Sequence, residues 1–176
     1  MAILAAAIVA IVIVQSRGGQ SAKPAATPPA VATAAPTLAR RIDGVPCNNA
    51  SIGYHVHAHL QIVYEGKNLA LPANIGIDDN TCAYYLHTHD DSGIIHTESP
   101  TPVPNRLAQF FIEWGVRLTP SCVGTYCRPT SIKVFVDGQP FAGDPRTIQL
   151  TDHKEIAVVI GTPPKTIPST ADFSNA

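Results

Sequence analysis

From Tyr54 to Tyr64 the chain reads YHVHAHLQIVY, a strict alternation. Val56, Ala58, Leu60, Ile62 and Tyr64 fall on one side of an extended chain; His55, His57, His59 and Gln61 fall on the other. A period of two marks a strand with one face on a core. Here the opposite face is built of histidines. Glu65-Gly66-Lys67 predicts a turn, with a partner strand returning over Leu69 to Leu71. A second hairpin is predicted from Ala83 to His89 and from Ile94 to Glu98, joined by the turn formers Asp90-Asp91-Ser92-Gly93. Pro100, Pro102 and Pro104 then end strand structure.

A helix is predicted from Arg106 to Trp114, capped by Asn105 and stopped by Gly115. Its Leu107, Phe110, Phe111 and Trp114 recur at helical spacing, which reads as packing onto a sheet rather than as a cofactor box. Ser131 to Val136, the turn Asp137-Gly138, and Glu155 to Ile160 supply further strands. Together these elements predict a mostly β, α+β domain: sandwich-like antiparallel sheets with one packed helix.

The flanks differ from this pattern. Met1 to Val14 is apolar throughout, and as a helix would span about 21 Å, short of the roughly 30 Å of a bilayer core. No basic residue precedes it, so residues 1–16 are expected to be the outer part of a signal or anchor helix that starts upstream. Residues 17–40, rich in Pro and Ala, read as a spacer. The His-rich domain is expected to cover 41–162, followed by a disordered tail over 163–176 with its own prolines.

Charge narrows the classes. Of 176 residues only 14% are charged, with 12 Lys+Arg against 13 Asp+Glu, and the cations are scattered singly. That distribution argues against a nucleic-acid partner. The expected membrane contact is through the N-terminal segment. Four cysteines, Cys47, Cys82, Cys122 and Cys127, point to an exported, oxidising location. No CxxC is present and no zinc-ribbon spacing fits, so disulfides are expected. Three pairings are possible; Cys47 with Cys82 and Cys122 with Cys127 are favoured.

Six of the seven histidines lie between His55 and His96. A four-residue turn in the second hairpin places His87 opposite His96, His89 opposite Ile94 and Tyr85 opposite Glu98, all on one face. Directly paired side chains there stand about 5 Å apart at Cβ. His55, His57 and His59 repeat every ~6.8 Å along their own strand. If the two groups share a sheet, they form a patch of up to six imidazoles rimmed by Glu98, Asp90 and Asp91.

Neutral imidazole is the commonest protein ligand for zinc, copper, nickel and iron, whereas calcium and magnesium want oxygens. The metal ligands are therefore expected among His55, His57, His59, His87, His89 and His96, with His55 peripheral. Copper is preferred, zinc next, because imidazole-rich sites favour Cu(II). Met1 is the only methionine, so a thioether Cu(I) site is absent. If the site is catalytic, Glu98, Asp90 or Asp91 can serve as general base on a metal-bound water. For the Asp pair the alternative is turn chemistry; for Glu98 it is orientation of a histidine. His153, in a Thr-Asp-His-Lys turn, reads as a surface residue.

His87-Thr88-His89-Asp90-Asp91 resembles part of the metallo-β-lactamase HxHxDH signature, but Ser92 stands where the last His belongs and the alternating αβ pattern is missing. His55-Val56-His57 resembles the paired ligands of copper–zinc superoxide dismutase, without that family's Gly-flanked loop. Cupins share HxH with a following Glu, without the glycine frame. The chain more closely resembles a family of exported bacterial proteins of no assigned activity. The blocks that carry this likeness are Tyr54 to Leu60, Leu86 to Asp90 with Gly93 to His96, and Gln109-Phe110-Phe111 with Trp114-Gly115. The resemblance spans roughly Cys47 to Gly161 and implies a prokaryotic domain, secreted or anchored at a membrane.

The functional expectation is an exported, membrane-tethered transition-metal-binding protein. A metal-dependent hydrolase or oxygenase using the same histidines is the first alternative. A module that senses pH while binding a partner is the second.

Overall fold

The computed structural model describes residues 41–42, 44–48, 51–78, 82–174 and 176. The expected signal segment and the spacer lie outside the described residues. No helix among the described residues is long and apolar enough to cross a membrane.

Two short strands open the domain, β1 (Arg41–Ile42) and β2 (Val45–Asn48), followed by the long β3 (Tyr54–Tyr64) and β4 (Lys67–Leu69). Next come β5 (Ile77–Asp78), β6 (Cys82–Tyr84), β7 (Leu86–His87) and β8 (Ile94–Ser99). Helix α1 (Leu107–Trp114) precedes β9 (Leu118–Thr119), β10 (Cys122–Val123) and β11 (Tyr126–Cys127). The chain ends with β12 (Ile132–Val136), β13 (Gln139–Phe141), a 3-10 turn (Pro145–Thr147) and β14 (Lys154–Ile160). The fold is thus mostly β with one α-helix among the described residues, as the patterning predicts.

The main sheet runs β13-β12-β14-β3-β8-β7, with β4 also paired to β3. One face of it is the core: Ala58, Leu60 and Ile62 of β3, Ile95 of β8, and Ile156, Val158 and Ile160 of β14 are buried against Leu107, Phe110, Phe111 and Trp114 of α1. Each Leu, Ile, Val or Phe among them contributes on the order of 1.5–3 kcal/mol by leaving water. Two smaller sheets complete the domain, β1-β2-β6-β5 and β9-β10-β11. Each holds a disulfide, Cys47–Cys82 and Cys122–Cys127 respectively, the two favoured pairs.

Several expectations are corrected. β14 lies parallel to β3, from Lys154 opposite Ala58 to Ile160 opposite Tyr64, so the sheet is mixed rather than antiparallel throughout. The cause is the long connection after β13, which crosses the helix and brings the chain in from the same end as β3. Along that path the Leu107 amide donates to the Ile148 carbonyl and the Leu150 amide to that of Asn105. The expected strand from Ala83 to His89 is broken in two: β6 pairs with β2 in a small sheet, and only β7 joins β8. The disulfide from Cys47 to Cys82 and the pairing of Cys47 with Tyr84 hold β6 there. The partner strand of β3 forms at Lys67–Leu69, earlier than expected, directly after the Glu65-Gly66 turn. The helix cap is Arg106, whose amide donates to Gln109 Oε1 at 2.8 Å, instead of Asn105. Gly115 does end the helix, in the left-handed conformation at φ 71°.

Past Gly161 the described residues carry no helix or strand but keep contact with the rest of the domain. Ser169 packs so closely on Gly138 that a Cβ there would meet its side chain at 2.6 Å. The Phe173 ring stands 4.7 Å from that of His153.

Candidate metal centre

Three strands bring the histidines into a row. In the β3–β8 pair His57 lies directly opposite His96, and His55 opposite Glu98. In the β7–β8 pair His87 lies directly opposite His96. β8 is therefore flanked by histidine-bearing strands on both edges, and all these side chains rise from the face that points away from α1. His89 follows β7 and folds back toward the row.

His96 is the hub. Its ring centroid lies 4.5 Å from that of His89, 4.6 Å from His57, 5.4 Å from His87 and 5.5 Å from His55. Two sets of donor atoms each lie within 4.8 Å of one another: His87, His89, His96 and Glu98 form one, and His55, His57 and His96 the other. His87 and His96 are buried, His57 and Glu98 half-buried, and His55 and His89 exposed. The cluster thus has a dry floor and an open rim.

Within the cluster, His55 Nε2 is 2.9 Å from His57 Nε2, 3.1 Å from Glu98 Oε1 and 3.2 Å from His96 Nδ1. Glu98 Oε1 is also 3.7 Å from His96 Nδ1 and 3.8 Å from His87 Nε2. His87 Nδ1 lies 2.8 Å from the Tyr84 carbonyl, an acceptor only, so that nitrogen carries the proton and Nε2 presents its lone pair to the cluster.

Burial and mutual repulsion keep the inner rings neutral. Desolvation, followed by the charges of His89, His57, His87 and His55, lowers the His96 pKa to about 3. Burial also lowers that of His87, against the pull of the Tyr84 carbonyl and Glu98. Burial, then the His55 charge, lowers that of His57. Neutral imidazoles have the free lone pair that a metal needs.

His59 stands outside both sets. Its Nδ1 is 2.7 Å from Glu155 Oε2 and its Nε2 is 2.9 Å from the Ser92 carbonyl. The Ser92 carbonyl only accepts, so Nε2 carries a proton, and a second proton on Nδ1, shared with the buried Glu155 carboxyl, makes the ring an imidazolium. Desolvation works against this, but the Glu155 hydrogen bond and charge, with the Ser92 carbonyl, outweigh it and raise the His59 pKa. Both His59 nitrogens are thus engaged by Glu155 and Ser92, and the residue belongs to neither donor set.

The remaining acids are equally distinct. Asp90 Oδ1 accepts from the Ser92 amide at 2.9 Å, closing the turn after His89, and Asp91 is exposed and in neither donor set. His153 is exposed, as its turn sequence suggests. Its amide donates to the His57 carbonyl at 2.7 Å, and Asp152 Oδ1 accepts from the His57 amide at 3.2 Å, so the turn leading into β14 holds the His57 backbone through both its amide and its carbonyl. Sequence patterning misses Glu155 because it opens an apolar run that reads as core. Only the parallel β3–β14 register, with Glu155 opposite His59, gives it away.

Comparison with protein-family models, with curated proteins and with solved structures finds no match. The chemistry of the site therefore rests on its geometry. Histidine and glutamate side chains are positioned to hold a metal ion.

Proposed function

We propose that this domain binds transition-metal ions, copper in preference to zinc, and serves to sequester or deliver them outside the cytoplasm. One observation carries the reading: His55 Nε2 has three polar neighbours within 3.2 Å. A single ring nitrogen offers one N–H or one lone pair, so it cannot make a well-directed hydrogen bond to all three at once. A cation among the ring nitrogens of His55, His57 and His96, which lie within 4.8 Å of one another, relieves this competition, with Glu98 Oε1 at its edge. Donors about 2.0–2.1 Å from a tetrahedral ion stand about 3.3 Å apart, close to the spacings around His55. The position of Glu98 Oε1, 3.1 to 3.8 Å from ring nitrogens of His55, His96 and His87, supports a ligand role over that of a base acting on a bound water.

The donor set favours a borderline metal. It is nitrogen-rich with one carboxylate, and both cysteine pairs are oxidised, leaving no thiolate among the described residues. Imidazole suits Cu(II) first and Zn(II) next. The exposed His55 and His89 give an incoming or departing ion a route, which suits exchange. The two disulfides fit an exported chain, and the apolar N-terminal run fits tethering. A pH sensor is less well supported, since a sensor needs groups that titrate between pH 5 and 7, and His96 stays neutral there.

Calorimetric titration with Cu(II) and Zn(II) tests the reading. Wild type is expected to bind stoichiometrically, and His96→Ala to lose at least tenfold in affinity while its circular dichroism is unchanged. Equal binding by the folded variant overturns the ligand set.

A further inference from the structure

We propose that the cluster holds two metal ions rather than one, with Glu98 as the bridging carboxylate; this rests on the metal-binding reading above. One ion sits on the β3 side with His55 and His57, the other on the β7 side with His87 and His89, and His96 lies between them. Donor count is the first ground. Five imidazoles and a carboxylate converge here, whereas copper or zinc in a nitrogen-rich site takes four or five ligands.

Spacing is the second. Neighbouring strands stand about 4.8 Å apart, so His57 on β3 and His87 on β7 rise from backbones about two spacings apart, with His96 in the middle. The donors accordingly divide into two compact sets, and His96 is their one common histidine.

The position of Glu98 is the third. Its Oε1 lies 3.1 Å from His55 Nε2 in one set and 3.8 Å from His87 Nε2 in the other, so one carboxylate borders both sites. Paired ions in two-metal centres are about 3.5–4 Å apart, a separation that a carboxylate spans. The Tyr84 carbonyl fixes His87 with Nε2 inward, and the β14 lead-in fixes the His57 backbone, so each half has its own support.

Native mass spectrometry of the full chain, saturated with Zn(II) or Cu(II), reads the stoichiometry. Two ions per chain are expected for wild type, and one each for His57→Ala and His89→Ala. His153→Ala is expected to keep both, which excludes an adventitious ion on the exposed His153–Asp152 pair. With two Cu(II) bound, electron paramagnetic resonance is expected to show a coupled pair with a half-field transition, which Glu98→Gln abolishes. Saturation at a single ion, or loss of the second ion on His153→Ala, overturns the two-ion proposal and leaves metal binding standing. No bound ion at all overturns both.

Discussion

His87 and His96 sit directly opposite one another on β7 and β8, their rings parallel to within 5° and 5.4 Å apart. His57 meets the same His96 from the other side at 4.6 Å. A histidine at the centre of three adjacent strands cannot be moved without moving its neighbours. The floor of the cluster is therefore set by backbone pairing, which is the kind of rigid support that a metal site needs.

That support extends to a residue with no side chain. Gly76 has φ 75°, and a Cβ there would lie 2.3 Å from the Leu86 carbonyl and 3.2 Å from His87 Cβ. Gly76→Ala is expected to push β7 away from its neighbour and to weaken metal binding at least tenfold, although Gly76 supplies no ligand. Titration of the folded variant checks this; unchanged affinity would show that β7 tolerates displacement.

The His59–Glu155 pair is expected to act on stability alone. Removing the imidazolium leaves a fully buried carboxylate without its countercharge, since Glu155 Oε1 already has no partner among the described residues. His59→Ala is expected to cost about 3 kcal/mol in urea unfolding. The double variant His59→Ala with Glu155→Ala is expected to recover part of it, and metal stoichiometry to stay at the wild-type value in both. Loss of an ion on His59→Ala would return His59 to the ligand set.

Glu113 gives a pH signature. It is fully buried on α1, neither oxygen has a hydrogen-bond partner among the described residues, and burial pushes its pKa from 4.5 up to about 9. The native state therefore holds a proton that the unfolded chain releases between those values. A raised pKa contributes stability below pH 4.5 that is lost as pH climbs toward about 9. Glu113→Gln is expected to match wild type near pH 4.5 and to exceed it by on the order of 5 kcal/mol at pH 8, about 1.4 kcal/mol for each pH unit. Parallel urea curves across this range test the sign; a constant difference would contradict it.

Much of this was legible in the residues. Alternation over Tyr54–Tyr64 separates core from histidine face without any tertiary knowledge, because burial on one side imposes the period. Turn length sets His87 against His96, because a hairpin's register follows from its loop. What was hidden depends on strand order. Nothing local says that β14 lies beside β3 and in parallel, so the Glu155 partner that engages His59 was invisible. Nor does periodicity tell that Cys82–Tyr84 is drawn into another sheet, which lets the Tyr84 carbonyl reach His87 Nδ1. Glu113, a charged residue in a buried helix position, reads as solvent-facing until the helix is docked.

The central claim is tested most directly by elemental analysis of the untagged protein, purified from an oxidising compartment by steps free of chelators. At least one equivalent of copper or zinc per chain is expected, with copper in excess of zinc when both are supplied. A metal-free protein that also takes up neither added Cu(II) nor added Zn(II) would contradict the account.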